Sequence, residues 1–486
     1  MIDTASLVGS GQVVPMWIGG QWLHPHGATM LPVVNPATGE TIAQVSYGSA
    51  QHARDAADAA RTAAEEWAAW PARRRGDLLR QAADLLDERA EEIGRLLAAE
   101  TGKRVVEAVG ETRFSAEYLR WFADASRQPH GAVLTPEDPK RRHLTVTSPV
   151  GVVASLTPWN FPLSIQARKV APALAAGCTV VARASEKAPL AVLELFRAID
   201  DAGLPPGVAN VVNGPAAEQS DALLAHPAVR MVTFTGSTSV GSRLMATAAN
   251  RVVRCALELG GDAPFIIFAD ADLDAAVEGL MVAKFRNNGQ SCIGANRVFV
   301  ERSVLDEVAS RLAAATSRLS VGDPLGPGDP DVGPLIDVER VHAVTALVDE
   351  ALGSGASWLG DAPEVPSGPC YTRPGFLLGA AETTGLATTE VFGPVAGVFP
   401  FDTDDEVVAR ANDTELGLAG YVYTRDPSRL WSMAERLEVG ILGCNHPLPS
   451  VAFAPMGGVK QSGLGREGAH QGLEEFVETR YLSIGL

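Results

Sequence analysis

The sequence predicts an α/β protein: a doubly wound parallel sheet in its first half, a second α/β unit after it, and a small β extension. Three observations carry this. After Pro149, short β-branched runs alternate with segments of helical period; a second strand-and-helix series opens after the pair Gly260–Gly261; and two strand-like segments, 131–148 and 476–484, stand outside both series.

From 51 to 100 the chain is rich in alanine, with Leu78, Leu79, Ala82, Leu85, Leu86, Ile93, Leu96 and Leu97 recurring at helical spacing beside charged residues. This predicts two amphipathic helices split at Pro71. Next come strands at 151–156, 179–182, 208–212, 231–234 and 252–257, with helices between them at 164–176, 189–202, 218–225 and 240–249. Such alternation implies a parallel sheet covered on both faces, a Rossmann-like arrangement suited to a dinucleotide. The second unit has expected strands at 264–268 and 297–300, expected helices at 272–287 and 304–319, and continues to about Ser450. Segment 131–148 reads as two strands around the turn 136–139, and 476–484 as a third; exposed strands of this kind often pair between subunits. The expected division is therefore 1–129 with 149–259 for a cofactor-binding domain, 260–462 for a catalytic domain, and 130–148 with 463–486 for oligomerisation strands and tail. There are no internal repeats or low-complexity tracts.

Composition narrows the function classes. The 486 residues are 46% hydrophobic and 20% charged, enough for two or three globular domains. Forty basic against 58 acidic side chains give a formal charge of −18, which opposes attraction to nucleic acid or to an anionic membrane surface. No basic residue precedes Arg54, no apolar stretch there ends in a cleavage site, and charges such as Arg168 and Lys169 interrupt the longest apolar runs. The five cysteines are odd in number and lack Cys-x-x-Cys or Cys/His metal spacing. These features lead us to expect a cytoplasmic protein without a metal site.

Four segments carry residues capable of chemistry. Cys292 follows Gly289 and Gln290, where backbone can approach a ligand closely, although a cysteine by itself is more often inert packing. Glu258 closes an apolar strand, where an unpaired charge is costly; it is a candidate general base or, equally, half of a structural ion pair. The stretch from Phe234 to Gly241 follows a strand and opens a helix, so its N–H groups can face a pyrophosphate; a plain turn before a helix would look similar. Asn160, in the turn from Thr157 to Pro162 after the first parallel strand, can offer an amide N–H to an oxyanion or cap backbone.

Together with the run Glu390-Val-Phe-Gly-Pro394 and the block Met456-Gly-Gly-Val-Lys-Gln-Ser-Gly463, these segments resemble the aldehyde dehydrogenase superfamily in order and spacing over essentially the whole chain. The resemblance implies oxidation of an aldehyde to an acid through a thioester. By it, Cys292 is the nucleophile, Glu258 the general base and Asn160 the side-chain half of an oxyanion hole completed by the Cys292 N–H; Lys169 supports them. Glu390 holds the nicotinamide ribose, Phe392 packs near the ring, Gly236 and Ser237 approach the pyrophosphate, and Trp159 lines the cleft. Thr157, Gly241 and Leu259 complete the expected cofactor site.

The family's Lys-Pro-Ser-Glu motif reads Arg183-Ala-Ser185-Glu186 here. An acid at Glu186 favours NAD by repelling a 2′-phosphate, whereas the Arg183 fork suits that phosphate; the expectation is NAD over NADP. Within the superfamily, the runs Gly-Gly-Asp-Ala-Pro-Phe265, Lys284-Phe-Arg-Asn-Asn-Gly289 and Lys460-Gln-Ser-Gly-Leu-Gly-Arg-Glu-Gly468 resemble succinate semialdehyde dehydrogenases. That likeness implies that Arg168, Arg286 and Ser450 hold a distal carboxylate, although a lone helical arginine is more often an ion-pair partner. Departures fall at Asp262, Met456 and the loop 446–449. Gly294 stands where some relatives carry a second cysteine, so no disulfide switch on Cys292 is expected. The expected partners are a small aldehyde and further copies of the chain, as a homodimer or homotetramer. The alternatives are a neutral or aromatic aldehyde, another semialdehyde, or a catalytically silent protein on the same fold.

Overall fold

In the computed structural model, which describes residues 13–128 and 131–486, five parallel strands form the middle of an eight-stranded sheet. The first twelve residues, and the expected boundary at 129 and 130, lie outside the described residues. In spatial order the five are Arg254–Glu258, Val229–Thr235, Val152–Leu156, Thr179–Arg183 and Ala209–Val212. Val152–Leu156 and Thr179–Arg183 are buried at every position. A strand covered on both faces has no solvent side to make polar, which is why these segments read as continuous apolar runs. Helices Pro162–Ala176, Leu190–Asp201, Ala216–Ala225 and Thr238–Ala249 connect the series. Val152–Leu156, first in the chain, lies between the second strand and the fourth. The chain order reverses there, and in open α/β sheets the crevice at the carboxyl ends of the strands flanking such a reversal is where ligands bind.

Ala263–Ile267 begins a second, seven-stranded sheet, in which Gly375–Leu378, Val395–Phe401, Ala295–Glu301, Ala263–Ile267, Ala419–Tyr423 and Ile441–Cys444 run parallel, with Ser357–Trp358 antiparallel at one edge. A third sheet pairs Val477–Gly485 with Arg141–Pro149, and that strand with Gly131–Leu134, all antiparallel. The segments expected to pair between subunits thus pair first with each other inside one chain.

The structure corrects the reading in four places. Residues 51–100 form three helices, Ala50–Ala69, Ala72–Glu88 and Ala90–Thr101. Pro71 breaks the first as expected, but the second ends at Arg89 (φ −100°, ψ 10°), where no proline or glycine marks a stop. The buried helix Val105–Ala125 and the strands between Val13 and Tyr47 were not anticipated. The expected helix 272–287 stops at Phe285. Finally, Gly463–Leu464, assigned to the tail, pairs antiparallel with Arg254–Glu258 and closes the edge of the eight-stranded sheet. Among the described residues no helix is long and apolar enough to cross a membrane.

Candidate active site

Four residues, 259–262, carry the chain from the end of Arg254–Glu258 in one sheet to the start of Ala263–Ile267 in the other. This link is crowded. A Cβ on Gly261 would lie 2.1 Å from the carbonyl oxygen of Cys292, and one on Gly260 would lie 2.9 Å from Oε2 of Glu390. Only glycine lets the link pass between the two, so Glu258, Cys292 and Glu390 converge on one junction.

Cys292 is aimed by the end of helix Leu273–Phe285. Asn287, Asn288 and Gly289 follow with φ of 53°, 58° and 74°, three consecutive left-handed residues of the types that tolerate that region. The turn is fixed by buried hydrogen bonds. Asn287 donates from its backbone to Glu107 (2.8 Å) and from its amide to the carbonyls of Asn160 (2.8 Å) and Gln290 (3.0 Å). Asn288 donates to the carbonyls of Gly102 and Pro334, both at 2.9 Å, and accepts from Gly333 N–H at 2.7 Å. Burial first, then the Glu390 carboxylate, pushes the Cys292 thiol up to about 12; Arg168 opposes this and Glu258 adds to it. At neutral pH the sulfur is therefore protonated and needs a proton acceptor to become a nucleophile.

Glu258 is 3% exposed, and neither carboxylate oxygen has a hydrogen-bond partner. Burial and the neighbouring Glu467 charge push it up to about 8, against the pull of Arg168 and Lys169. An unsatisfied buried carboxylate costs stability, and a carboxyl poised near neutral pH suits proton transfer. Asn160 donates from Nδ2 to the carbonyl of Gln290 at 3.1 Å, while its Oδ1 is unpartnered. Lys169 donates to Thr233 Oγ1 at 3.1 Å and to Glu467.

The arginines separate. Arg286 and Ser450 line one cavity of about 460 Å³, with Phe114, Phe285, Leu448 and Glu107 among its walls. Arg286 lies over the Phe161 ring, 5.0 Å from its centroid. Arg168 does not line that cavity: it is buried, its Nε is 2.5 Å from Oε2 of Glu467, and its Nη1 is 2.6 Å from the sulfur of Met456. Ser450 Oγ touches the same sulfur at 3.6 Å, so Met456 stands between Arg168 and the cavity wall.

The residues expected to hold a dinucleotide sit at the carboxyl ends of the eight-stranded sheet's strands or face them. The Trp159 and Phe392 rings meet edge to face, 5.5 Å between centroids, and Phe392 is held at φ 47°. Glu390 accepts from Gly261 N–H at 3.1 Å and is pushed up to about 7, chiefly by burial. Gly236 leaves no room for a Cβ beside the Phe234 ring, and Ser237 caps helix Thr238–Ala249. That helix offers its N-terminus to the crevice at the sheet's reversal point, a cradle fitted to a pyrophosphate. Gly241 and Leu259 pack on each other: a Cβ on Gly241 would lie 2.4 Å from a Leu259 methyl. The Thr157 hydroxyl turns inward to donate to Gln166, and Ser185 Oγ accepts from Lys187 N–H. Arg183 donates twice to the carbonyl of Gly214 and pairs with Glu186, whose side chain stays 39% exposed. Burial works against the charge of Glu186, and the Arg183 guanidinium outweighs it, holding the carboxyl below its usual range.

The sequence matches the aldehyde dehydrogenase family over residues 22–482. The chain belongs to that family. It is 43% identical to a mitochondrial succinate-semialdehyde dehydrogenase of Arabidopsis thaliana, over 96% of this chain and 88% of that one. It is 41% identical to a glutarate-semialdehyde dehydrogenase of Pseudomonas aeruginosa, over 96% and 97% of the two chains. Among solved structures, an E. coli NADP-dependent enzyme superposes with a TM-score of 0.96 at 39% identity, covering all of both chains.

Four further residues of this aldehyde dehydrogenase shape the site and escaped the sequence reading. Lys103 and Glu111 form an ion pair of 2.5 Å with side chains 0% and 2% exposed; Lys103 also donates to the Asn160 carbonyl at 2.8 Å, and Glu111 accepts the backbone N–H groups of Leu163 and Ser164, each at 3.1 Å. The pair therefore holds both sides of the turn that presents Asn160. Asn287 and Glu467 are the other two. Nothing local marked Lys103 and Glu111, the latter in a helix that was not foreseen; Asn287 and Glu467 lie inside the runs quoted for the resemblance but were given no role, and Glu467 meets Lys169 across 298 positions of sequence.

Proposed function

We propose that this aldehyde dehydrogenase oxidises an aldehyde carrying a distal carboxylate, succinate semialdehyde foremost, with NAD as the preferred cofactor. The observation that carries the chemistry is the convergence on one junction of Cys292, whose carbonyl oxygen lies against Gly261, and the unpartnered carboxylate of Glu258 three residues before that glycine. The sulfur gives its proton to a solvent water and adds to the carbonyl carbon. The resulting oxyanion is received by the Cys292 backbone N–H and by Asn160 Nδ2, which keeps one N–H beyond its bond to Gln290. A nicotinamide held by Glu390 and Phe392 would supply the hydride acceptor, and Cys292 would then carry the acyl group as a thioester. Glu258 then takes a proton from water, and that water's oxygen displaces the sulfur to release the acid. Residues 13–128 and 149–259 would hold the dinucleotide, with Gly236, Ser237 and Trp159 around it and Glu390 on the ribose; the second sheet would carry the nucleophile.

Arg286 and Ser450 support the substrate assignment, because they place a cation and a hydroxyl in one cavity whose walls combine Phe114, Phe285 and Leu448 with the charged Arg104, Glu107, Glu111 and Asp331. The same pair would accept glutarate semialdehyde, one methylene longer. The NAD preference rests on Glu186, a half-buried acid whose partner Arg183 is already committed to Gly214 and to Glu186 itself. The exposed apolar side chains Val133, Val146, Tyr481 and Ile484 on the three-stranded sheet support assembly into a homodimer or homotetramer. Five free cysteines suit a cytoplasmic setting.

Mass spectrometry of Glu258→Gln after one turnover with succinate semialdehyde and NAD tests the reading. The expected product is a succinyl adduct on the Cys292 peptide, absent from Cys292→Ala. NADH formation by Cys292→Ala at the parent rate would overturn it.

A further inference from the structure

We propose that Asp262 is a positioning residue which, through Asn296, sets Glu390 at the cofactor cleft. The inference rests on the reading of Glu390 as a cofactor contact. Residues 390–392 belong to no helix or strand, so no ladder of backbone hydrogen bonds fixes them. Asn296, the second residue of strand Ala295–Glu301, replaces that ladder: its Nδ2 donates to the carbonyl of Thr389 at 2.9 Å, and its Oδ1 accepts from Val391 N–H at 3.0 Å. One amide group thus grips the backbone on either side of Glu390.

An amide can do this only if its own orientation is fixed. The second Nδ2 proton of Asn296 goes to Oδ1 of Asp262 at 2.5 Å, which uses both donors and rules out a flipped amide. Asp262 is fixed in turn by Arg297: Nε lies 2.9 Å from its Oδ2, and Nη2 donates to its backbone carbonyl at 2.9 Å. Arg297 also donates to the carbonyls of Arg410 and Ala411, at the end of helix Asp404–Asn412. All three residues are 3% exposed. Gly261, next to Asp262, donates its N–H to the Glu390 carboxylate itself. The start of strand Ala263–Ile267 therefore controls both the Glu390 carboxylate and the backbone that bears it. A carboxylate at 262, rather than an amide, matches the buried guanidinium of Arg297, with which it forms an ion pair.

The test is steady-state kinetics on the full-length enzyme with NAD and succinate semialdehyde, comparing Asp262→Ala, Asp262→Asn, Asn296→Ser and Glu390→Gln. Asp262→Ala and Asn296→Ser should raise the cofactor KM about tenfold, the equivalent of about 1.4 kcal/mol for one lost buried hydrogen bond, and leave the aldehyde KM within about twofold. Asp262→Asn, which keeps an acceptor for Asn296, should recover most of the cofactor KM. A residue that only supports the fold would lower Tm without separating the two KM values. Asn296→Ser leaves the Asp262–Arg297 pair in place and decides the matter where Asp262→Ala fails to fold. If Glu390→Gln raises the cofactor KM while Asn296→Ser does not, the positioning role is overturned. If Glu390→Gln itself leaves the cofactor KM unchanged, the reading of Glu390 falls instead.

Discussion

Arg168 and Glu467 form a buried ion pair, Nε to Oε2 2.5 Å, and the other oxygen of Glu467 holds Lys169. Two adjacent cations on helix Pro162–Ala176 thereby share one carboxylate from the far end of the chain. Arg168 is held by Glu467, and the cations that line the cavity are Arg286 and Arg104, the latter paired with Asp329.

The two arginines should therefore fail differently. Arg286→Ala is expected to raise KM for succinate semialdehyde about tenfold to a hundredfold, the range for a charged hydrogen bond, with little effect on butanal. Arg168→Ala should lower Tm and kcat for both aldehydes, because it removes a buried ion pair to Glu467 and a cation that acts on Glu258. Parallel kcat and KM values for the two aldehydes, with melting curves, would check this.

The rate of thioester hydrolysis should rise with pH. Glu258 acts as a base only when ionised, and with its carboxyl near 8 it is mostly protonated at pH 7. Release of acid in single-turnover experiments is expected to climb close to tenfold per pH unit below about 8 and then level. The thiol of Cys292, held high by burial, gives the acylation step the same sign. Glu258→Gln should abolish the hydrolytic limb; an unchanged profile in that variant would assign the base elsewhere.

Gly261→Ala should cost about a hundredfold or more in kcat, since the new methyl would sit 2.1 Å from the Cys292 carbonyl oxygen and must push the nucleophile's backbone aside. Circular dichroism should still show the parent secondary structure, because the strands on either side of the link are unchanged. Activity within about twofold of the parent would mean that the backbone of Cys292 is not positioned by this contact.

Lys103→Met removes one half of a fully buried pair and leaves Glu111 charged and unpaired, a change that costs about 3–5 kcal/mol. It also removes one of the two donors on the Asn160 carbonyl, leaving that of Asn287. Lower Tm should therefore come with lower kcat at unchanged cofactor KM, whereas Lys103→Met with Glu111→Gln should recover Tm more than kcat. Melting curves and initial rates on the same preparations separate the two effects.

Much of the fold was legible because its signals are local. A strand buried on both faces shows an apolar run, a helix shows its period, and a glycine marks tight passage; hence the five parallel strands, their connecting helices and the Gly260–Gly261 link could be read directly. The break at Arg89 and the helix Val105–Ala125 were not, since the first lacks a stop residue and the second has buried polar side chains, Glu111, Thr112 and Ser115, across its expected apolar face. In the site, Cys292, Glu258 and Asn160 stood out through motifs that hold their spacing along the chain.

The sequence alone determined the family, the order of elements and the residue types available for chemistry, because these depend on near neighbours and on motif spacing. Only the tertiary structure decided which charges meet. Whether Arg168 faces a substrate or Glu467, and whether Arg183 is free or bound to Gly214, depends on side chains from distant segments competing for the same donors. In a low-dielectric interior the nearest opposite charge wins that competition, and which charge is nearest is settled by packing and not by position in the chain.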